Sequence, residues 1–141
     1  MPKPFSQSTS KSDLRRAICA FAKTQGIARI YFNSNGIDRA GSYRADTNCI
    51  WLNNNLSNYQ LLVAFFHELG HAELAKNNLY LPYHLDAKTE LYTIKQKFAI
   101  ENIVEHIAKK LWNKYVNIKV YGQYTFYYTK KRMKSAHLYM I

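Results

Sequence analysis

The stretch His67-Glu68-Leu69-Gly70-His71 constrains the fold of this chain more than any other, because it is an H-E-x-x-H motif. Residues four apart lie on one face of an α-helix, about one turn from each other. His67 and His71 can therefore each direct a ring nitrogen at one Zn²⁺ ion. Glu68 is rotated by roughly 100° from His67, which places its carboxylate beside the metal, where it can take a proton from water. The motif predicts a zinc-binding helix with Glu68 as general base.

The residues around the motif predict that its helix is buried. Ser57 and Gln60 form an S-x-x-Q capping box, and residues 61–66, LLVAFF, are apolar on every face. Gly70 costs about 1 kcal/mol in a helix relative to Ala, which suggests that another element approaches closely there. The alternative is a pair of core histidines bonded to the backbone, although buried histidines need polar partners in either case.

Length and composition predict one globular domain. The chain has 141 residues, of which 48% are hydrophobic and 15% aromatic, enough for a sizeable core. Residues 1–13 are polar, unlike a signal peptide, and no apolar run reaches the ~18 residues of a membrane span. We therefore expect a cytoplasmic protein without membrane contact. Cys19 and Cys49 form no C-x-x-C pair, so we expect them to be buried and reduced.

The positive charge of the chain is concentrated near its end. The net charge is +11, and no acidic residue follows Glu105. This distribution would suit nucleic acid or an acidic partner, although an A/T-rich coding sequence also produces many lysines. The cationic residues that follow Glu105 are Lys109, Lys110, Lys114, Lys119, Lys130, Lys131, Arg132 and Lys134.

The order of patterns predicts an α+β fold. We expect a flexible arm over residues 1–10, a domain over 11–116 and a basic, Tyr-rich extension over 117–141. The arm would precede a first helix over 10–25, and Asn77 or Asn78 would end the motif helix with a left-handed cap. Three short strands are predicted at 27–32, 41–44 and 49–52, the last two as a hairpin, followed by the motif helix, a long helix over 86–115, and a hairpin of 119–121 with 124–128 around Gly122.

A catalytic zinc needs a third protein ligand, and Glu101 is the best candidate. On the second long helix it shares a face with Ile94 and Phe98, and an acid among apolar neighbours needs a cation. Glu105, one turn on, could bind the metal or orient a ligand through a hydrogen bond, although Lys109 offers it an ordinary i+4 pair. His84, in the loop before this helix, is a third candidate.

Two segments, HELGHAEL at 67–74 and ENIVEHIAKKL at 101–111, resemble the ImmA/IrrE-type zinc peptidases, which are small gluzincins of bacteria and phages. The resemblance covers roughly residues 12–115. It implies a zincin-like fold, a Zn²⁺ cofactor held by His67, His71 and Glu101, and Glu68 as the base. It also implies a protein substrate, such as a transcriptional repressor.

Other functions stay open. His84 follows His71 by thirteen residues, as a third histidine does in the SprT-type proteases, which act on proteins bound to DNA. A non-proteolytic, zinc-containing binding module is a further alternative, as is a structural zinc held by four side chains. For the peptidase, the edge strand at 41–44 would bind an extended substrate, and the candidates for stabilising the oxyanion are Tyr83, His84, Tyr92 and His106.

Overall fold

The computed structural model describes residues 3–33, 40–77 and 94–125. Within them the chain is an α+β domain with one three-stranded sheet, which confirms the expected fold class. In chain order the elements are helix α1 (Lys11–Thr24), strands β1 (Arg29–Asn33), β2 (Gly41–Arg44) and β3 (Cys49–Asn53), the motif helix α2 (Asn58–Lys76), the long helix α3 (Ile94–Tyr115) and the short helix α4 (Ile118–Tyr121).

The sheet has the order β1-β3-β2. Strand β1 runs parallel to β3, whereas β2 pairs with β3 in antiparallel fashion, which confirms the predicted hairpin. Asn48, with φ of 55°, makes the turn between the two hairpin strands. Strand β1 starts at Arg29, later than predicted, because the backbone N–H of Ile27 donates to the Ala22 carbonyl and completes the end of α1.

Helix α2 runs through the centre of the domain. The capping box of Ser57 and Gln60 is present, and every residue from 61 to 72 is buried, as the sequence predicts. The helix packs against α1, against β2 and β3, and against α3. It ends at Lys76 with Asn77 as its cap, but Asn77 has φ of −91°, so the predicted left-handed cap does not form at that residue.

An aromatic cluster fills the core beside α2. The ring of Phe66 meets those of Phe5 and Trp112 edge to face, with centroids 5.7 and 5.6 Å apart. Phe21 and Phe65 complete the cluster. Edge-to-face aromatic pairs add to the stability gained by burial alone, so this cluster holds α1, α2 and α3 together.

The prediction of a flexible arm over residues 1–10 is wrong around Phe5. Its side chain is only 2% exposed, and it forms a parallel bridge with Val116. The Phe5 N–H donates to the Tyr115 carbonyl, and the Asn117 N–H donates to the Phe5 carbonyl. Burial of the ring and two backbone hydrogen bonds fix this segment to the end of α3.

The predicted strand at 119–121 is also wrong, because these residues lie in the helical turn α4. The Asn117 side chain caps this turn by accepting a hydrogen bond from the Lys119 N–H, and Gly122, with φ of 88°, ends it. Tyr124 then returns to the core and is 6% exposed, so the folded unit extends beyond residue 116.

Several predictions fall outside the described residues: those for Tyr83, His84 and Tyr92, the start of the long helix, and the chain from 126 onwards. Cys49 is buried and Cys19 is half-buried, and both are free thiols. Among the described helices, none is long and apolar enough to cross a membrane.

Candidate metal centre

Three buried side chains meet where α2 faces α3. Nε2 of His67 lies 3.1 Å from one carboxylate oxygen of Glu101, and Nε2 of His71 lies 3.3 Å from the other. One potential ligand atom from each residue lies within 4.8 Å of the other two, so the group could hold a metal ion. The structure brings together the three side chains that the sequence singled out. Their role as metal ligands stays a prediction.

Gly70 allows the two helices to approach closely enough for this meeting. A Cβ atom at Gly70 would lie 2.9 Å from the carbonyl oxygen of Val104 and 3.1 Å from its Cγ1. Real Cβ atoms essentially never lie within 3.0 Å of such a neighbouring atom, and a 3.1 Å contact is tighter than nine in ten real ones. The prediction that another element approaches α2 at Gly70 is confirmed, and that element is α3, which carries Glu101 one turn before Val104.

Glu105 contacts the opposite side of the His67 ring. Its Oε1 lies 2.6 Å from Nδ1 of His67 and accepts a second hydrogen bond, of 2.7 Å, from the hydroxyl of Tyr124. The sequence offered a surface pair with Lys109 as an ordinary explanation, but Glu105 is fully buried. We assign the Nδ1 proton of His67 from this geometry. Nε2 is then the ring nitrogen that faces Glu101, and it can ligate a metal ion once its own proton is lost.

Glu68 lies beside the cluster. Its Oε1 is 4.0 Å from Nε2 of His67, and it is not part of the three-residue group. On its other side it packs against β2, where a Cβ at Gly41 would lie 3.2 Å from Cγ of Glu68. The carboxylate therefore lies between the candidate ligands and an edge strand, a position suited to moving a proton.

The imidazoles and carboxylates of the cluster stabilise each other's charged forms. Burial alone would lower the pKa of His67, but hydrogen bonds to Glu101 and Glu105 outweigh it and raise the pKa to about 10. Burial would raise the pKa of Glu101, but His71 and His67 hold it well below its usual range. The buried Glu101 carboxylate therefore requires a positive charge beside it, which is either a proton on an imidazole or a bound cation.

This donor set fits a divalent metal. Two imidazoles and one carboxylate are a common protein ligand set for catalytic zinc, and a cation among them would replace the proton that the metal-free cluster needs. The chemistry of the three side chains is therefore compatible with Zn²⁺.

The remaining candidates contribute differently. His106 is exposed on α3 and is not a member of the group, while His84, Tyr83 and Tyr92 lie outside the described residues. Sequence reasoning missed Tyr124, which contacts the cluster through Glu105. No local pattern marks this residue, because its contact depends on how the chain returns after α4.

Comparison with known proteins agrees with the geometry. A search of curated proteins found no match. The family model Peptidase_M78, described as the IrrE N-terminal-like domain, matches residues 22–108. The matched stretch contains the H-E-x-x-H motif together with Glu101 and Glu105, and it spans more than half of the chain. The chain therefore belongs to the IrrE N-terminal-like domain family, which is a family of peptidases.

Proposed function

We propose that this protein is a zinc-dependent metallopeptidase that hydrolyses a peptide bond in a protein substrate. The observation that carries the proposal is the buried meeting of Glu101 with the imidazoles of His67 and His71, with Glu68 adjacent. Membership of a peptidase family supports the reaction class.

In this proposal His67, His71 and Glu101 hold the metal. A bound Zn²⁺ supplies Lewis-acid chemistry, since it acidifies a water molecule and polarises the scissile carbonyl. Glu105 holds His67 in the tautomer whose Nε2 can ligate, through the 2.6 Å hydrogen bond to Nδ1.

Glu68 moves the proton. Its carboxylate takes a proton from the attacking water and delivers it to the nitrogen of the leaving amine. The side chain is only 6% exposed, and limited contact with bulk water helps it to keep that proton between the two steps.

Strand β2 is the proposed docking edge for the substrate. It pairs with β3 along one side, and its Gly41 packs on Glu68. An extended peptide that added a strand to the other side would pass close to the proposed base. A transcriptional repressor as the substrate rests on the resemblance to ImmA/IrrE-type peptidases.

The test replaces Glu68 by Gln, which keeps the shape of the side chain and removes the base. We expect cleavage of co-expressed candidate repressors to fall by about 10²-fold or more, with zinc content unchanged. Glu73→Gln is the matched control, because Glu73 lies on the same helix, is partly exposed and pairs with Lys76. Undiminished cleavage by the Glu68→Gln protein would exclude Glu68 as the base.

The alternative functions have less support. The SprT-type protease depends on His84, and a nucleic-acid-binding module depends mainly on the net charge of +11. No contact among residues 3–33, 40–77 and 94–125 favours either. DNA binding that persists at about 0.2 M salt and weakens when the cationic residues between 109 and 134 are replaced would support the binding module.

A further inference from the structure

We propose that Tyr124 is a positioning residue for the metal centre, which acts on His67 through Glu105. This inference rests on the proposed function, since it assigns a role toward the metal that His67 would ligate. Tyr124 also lies beyond residue 108, where the match to the family model ends. The residue thus comes from the segment that follows the family match.

One carboxylate oxygen connects the two residues. Oε1 of Glu105 accepts a 2.7 Å hydrogen bond from the Tyr124 hydroxyl and a 2.6 Å hydrogen bond from Nδ1 of His67. The position of this oxygen therefore sets the orientation of the His67 ring. Two donors directed at one oxygen restrict its position more than a single donor does.

The environment makes this connection strong. Glu105 is fully buried, Tyr124 is 6% exposed and His67 is 1% exposed. A buried carboxylate needs hydrogen-bond donors, and water has little access to replace one that is lost. Without the Tyr124 hydroxyl, the carboxylate group could rotate away from the orientation that fixes His67.

The backbone on either side of Tyr124 is held independently of its hydroxyl. The indole N–H of Trp112 donates to the Gly122 carbonyl at 3.0 Å, and the Tyr59 hydroxyl donates to the Gln123 carbonyl at 2.7 Å. The Tyr124 ring also packs on Trp112, with centroids 5.7 Å apart. These contacts remain in a Tyr124→Phe protein, so that substitution removes the hydrogen bond and keeps the fold.

The matched control is Tyr121→Phe. Tyr121 lies in the same segment, and its hydroxyl donates to the Gln7 carbonyl at 2.7 Å, away from Glu105. Both variants lose one tyrosine hydroxyl and the hydrogen bond that it donates. Only Tyr124→Phe removes a partner of the carboxylate that contacts His67.

The experiment measures Zn²⁺ affinity by competition with a chromophoric chelator at pH 7, and the visible absorption bands of the Co²⁺-loaded protein. We expect Tyr124→Phe to weaken Zn²⁺ binding roughly ten-fold, the lower end of the range for groups that orient metal-ligating histidines, and to shift the Co²⁺ bands. Tyr121→Phe should match the wild type in both measurements. If Tyr124→Phe also binds Zn²⁺ within two-fold of the wild type and leaves the bands in place, Tyr124 has no positioning role.

A second background tests the route through Glu105. In a Glu105→Leu protein, whose side chain has no oxygen to accept either hydrogen bond, adding Tyr124→Phe should change Zn²⁺ affinity by less than two-fold, because residues that act through one another are not additive. An equal loss in both backgrounds overturns the proposed route. If the wild-type protein binds no Zn²⁺, the proposed function itself is overturned. If the wild type and Tyr124→Phe bind Zn²⁺ equally well, only the role of Tyr124 is overturned.

Discussion

Replacing Gly70 by Ala tests whether the close approach of α2 and α3 sets the geometry of the candidate metal centre. The new methyl group would lie 2.9 Å from the Val104 carbonyl oxygen and 3.1 Å from Val104 Cγ1. Ordinary contacts between such atoms begin near 3.5 Å, so α3 must move away by roughly 0.5 Å. Ligand distances in a metal site tolerate only about 0.2 Å, and Glu101 lies on the helix that moves.

The expected effects on stability and on metal binding differ in size. Ala stabilises a helix interior by about 1 kcal/mol relative to Gly, whereas overpacking costs about 1–3 kcal/mol. The free energy of unfolding of the metal-free protein should therefore fall by only about 0–2 kcal/mol. Zn²⁺ affinity should fall by about ten-fold or more, because Glu101 is displaced from both imidazoles.

The assay combines urea unfolding of the metal-free protein with Zn²⁺ titration against a competing chelator. Ala75→Gly is the control, since it weakens the same helix by about 1 kcal/mol without pushing on α3. It should lower stability and leave Zn²⁺ affinity unchanged. If the Gly70→Ala protein binds Zn²⁺ within two-fold of the wild type, the spacing of the two helices does not determine the site, and the reasoning fails.

Two further predictions concern the core and the charge of the cluster. Phe5→Ala should lower the free energy of unfolding by about 3–5 kcal/mol, the usual range for a buried Phe, in a denaturant titration; a change below about 1 kcal/mol would show that Phe5 is not part of the core. In the metal-free protein, the stability contributed by protonated His67 is complete below pH 6.5 and is lost as the pH rises toward about 10. The contribution of ionised Glu101 is complete above pH 4.5 and is lost on acidification. The melting temperature should therefore fall between pH 6.5 and 9, and a His67→Gln protein should lack that decline; a melting temperature that rises over this range contradicts the assignment.

The parts of the fold that depend on nearby residues could be predicted from the sequence. The capping box of Ser57 and Gln60, the hairpin of β2 and β3, and the histidine pair are all set by residues close in sequence. The close approach at Gly70 was predictable as well, because a poor helix residue in a buried helix needs a steric reason.

Contacts between distant parts of the chain were harder to foresee. Glu101 could be selected because an acid on an apolar helix face needs a cation, whereas Glu105 was left between an i+4 pair with the exposed Lys109 and a hydrogen bond to a metal ligand. Its burial depends on His67 and Tyr124, which lie far away in sequence. Phe5 was missed for the same reason, since a single apolar residue among polar ones carries no periodic signal.

The bridge between Phe5 and Val116 also has a consequence for biosynthesis. Translation produces Phe5 long before Val116, so the aromatic cluster can close only after the end of α3 has left the ribosome. Until then the paired imidazoles of α2 lack Glu101 and Glu105, the acidic groups that hold them. The candidate metal centre is therefore completed only after α3 has been made, and a nascent chain that ends before α3 lacks the assembled cluster of His67, His71 and Glu101.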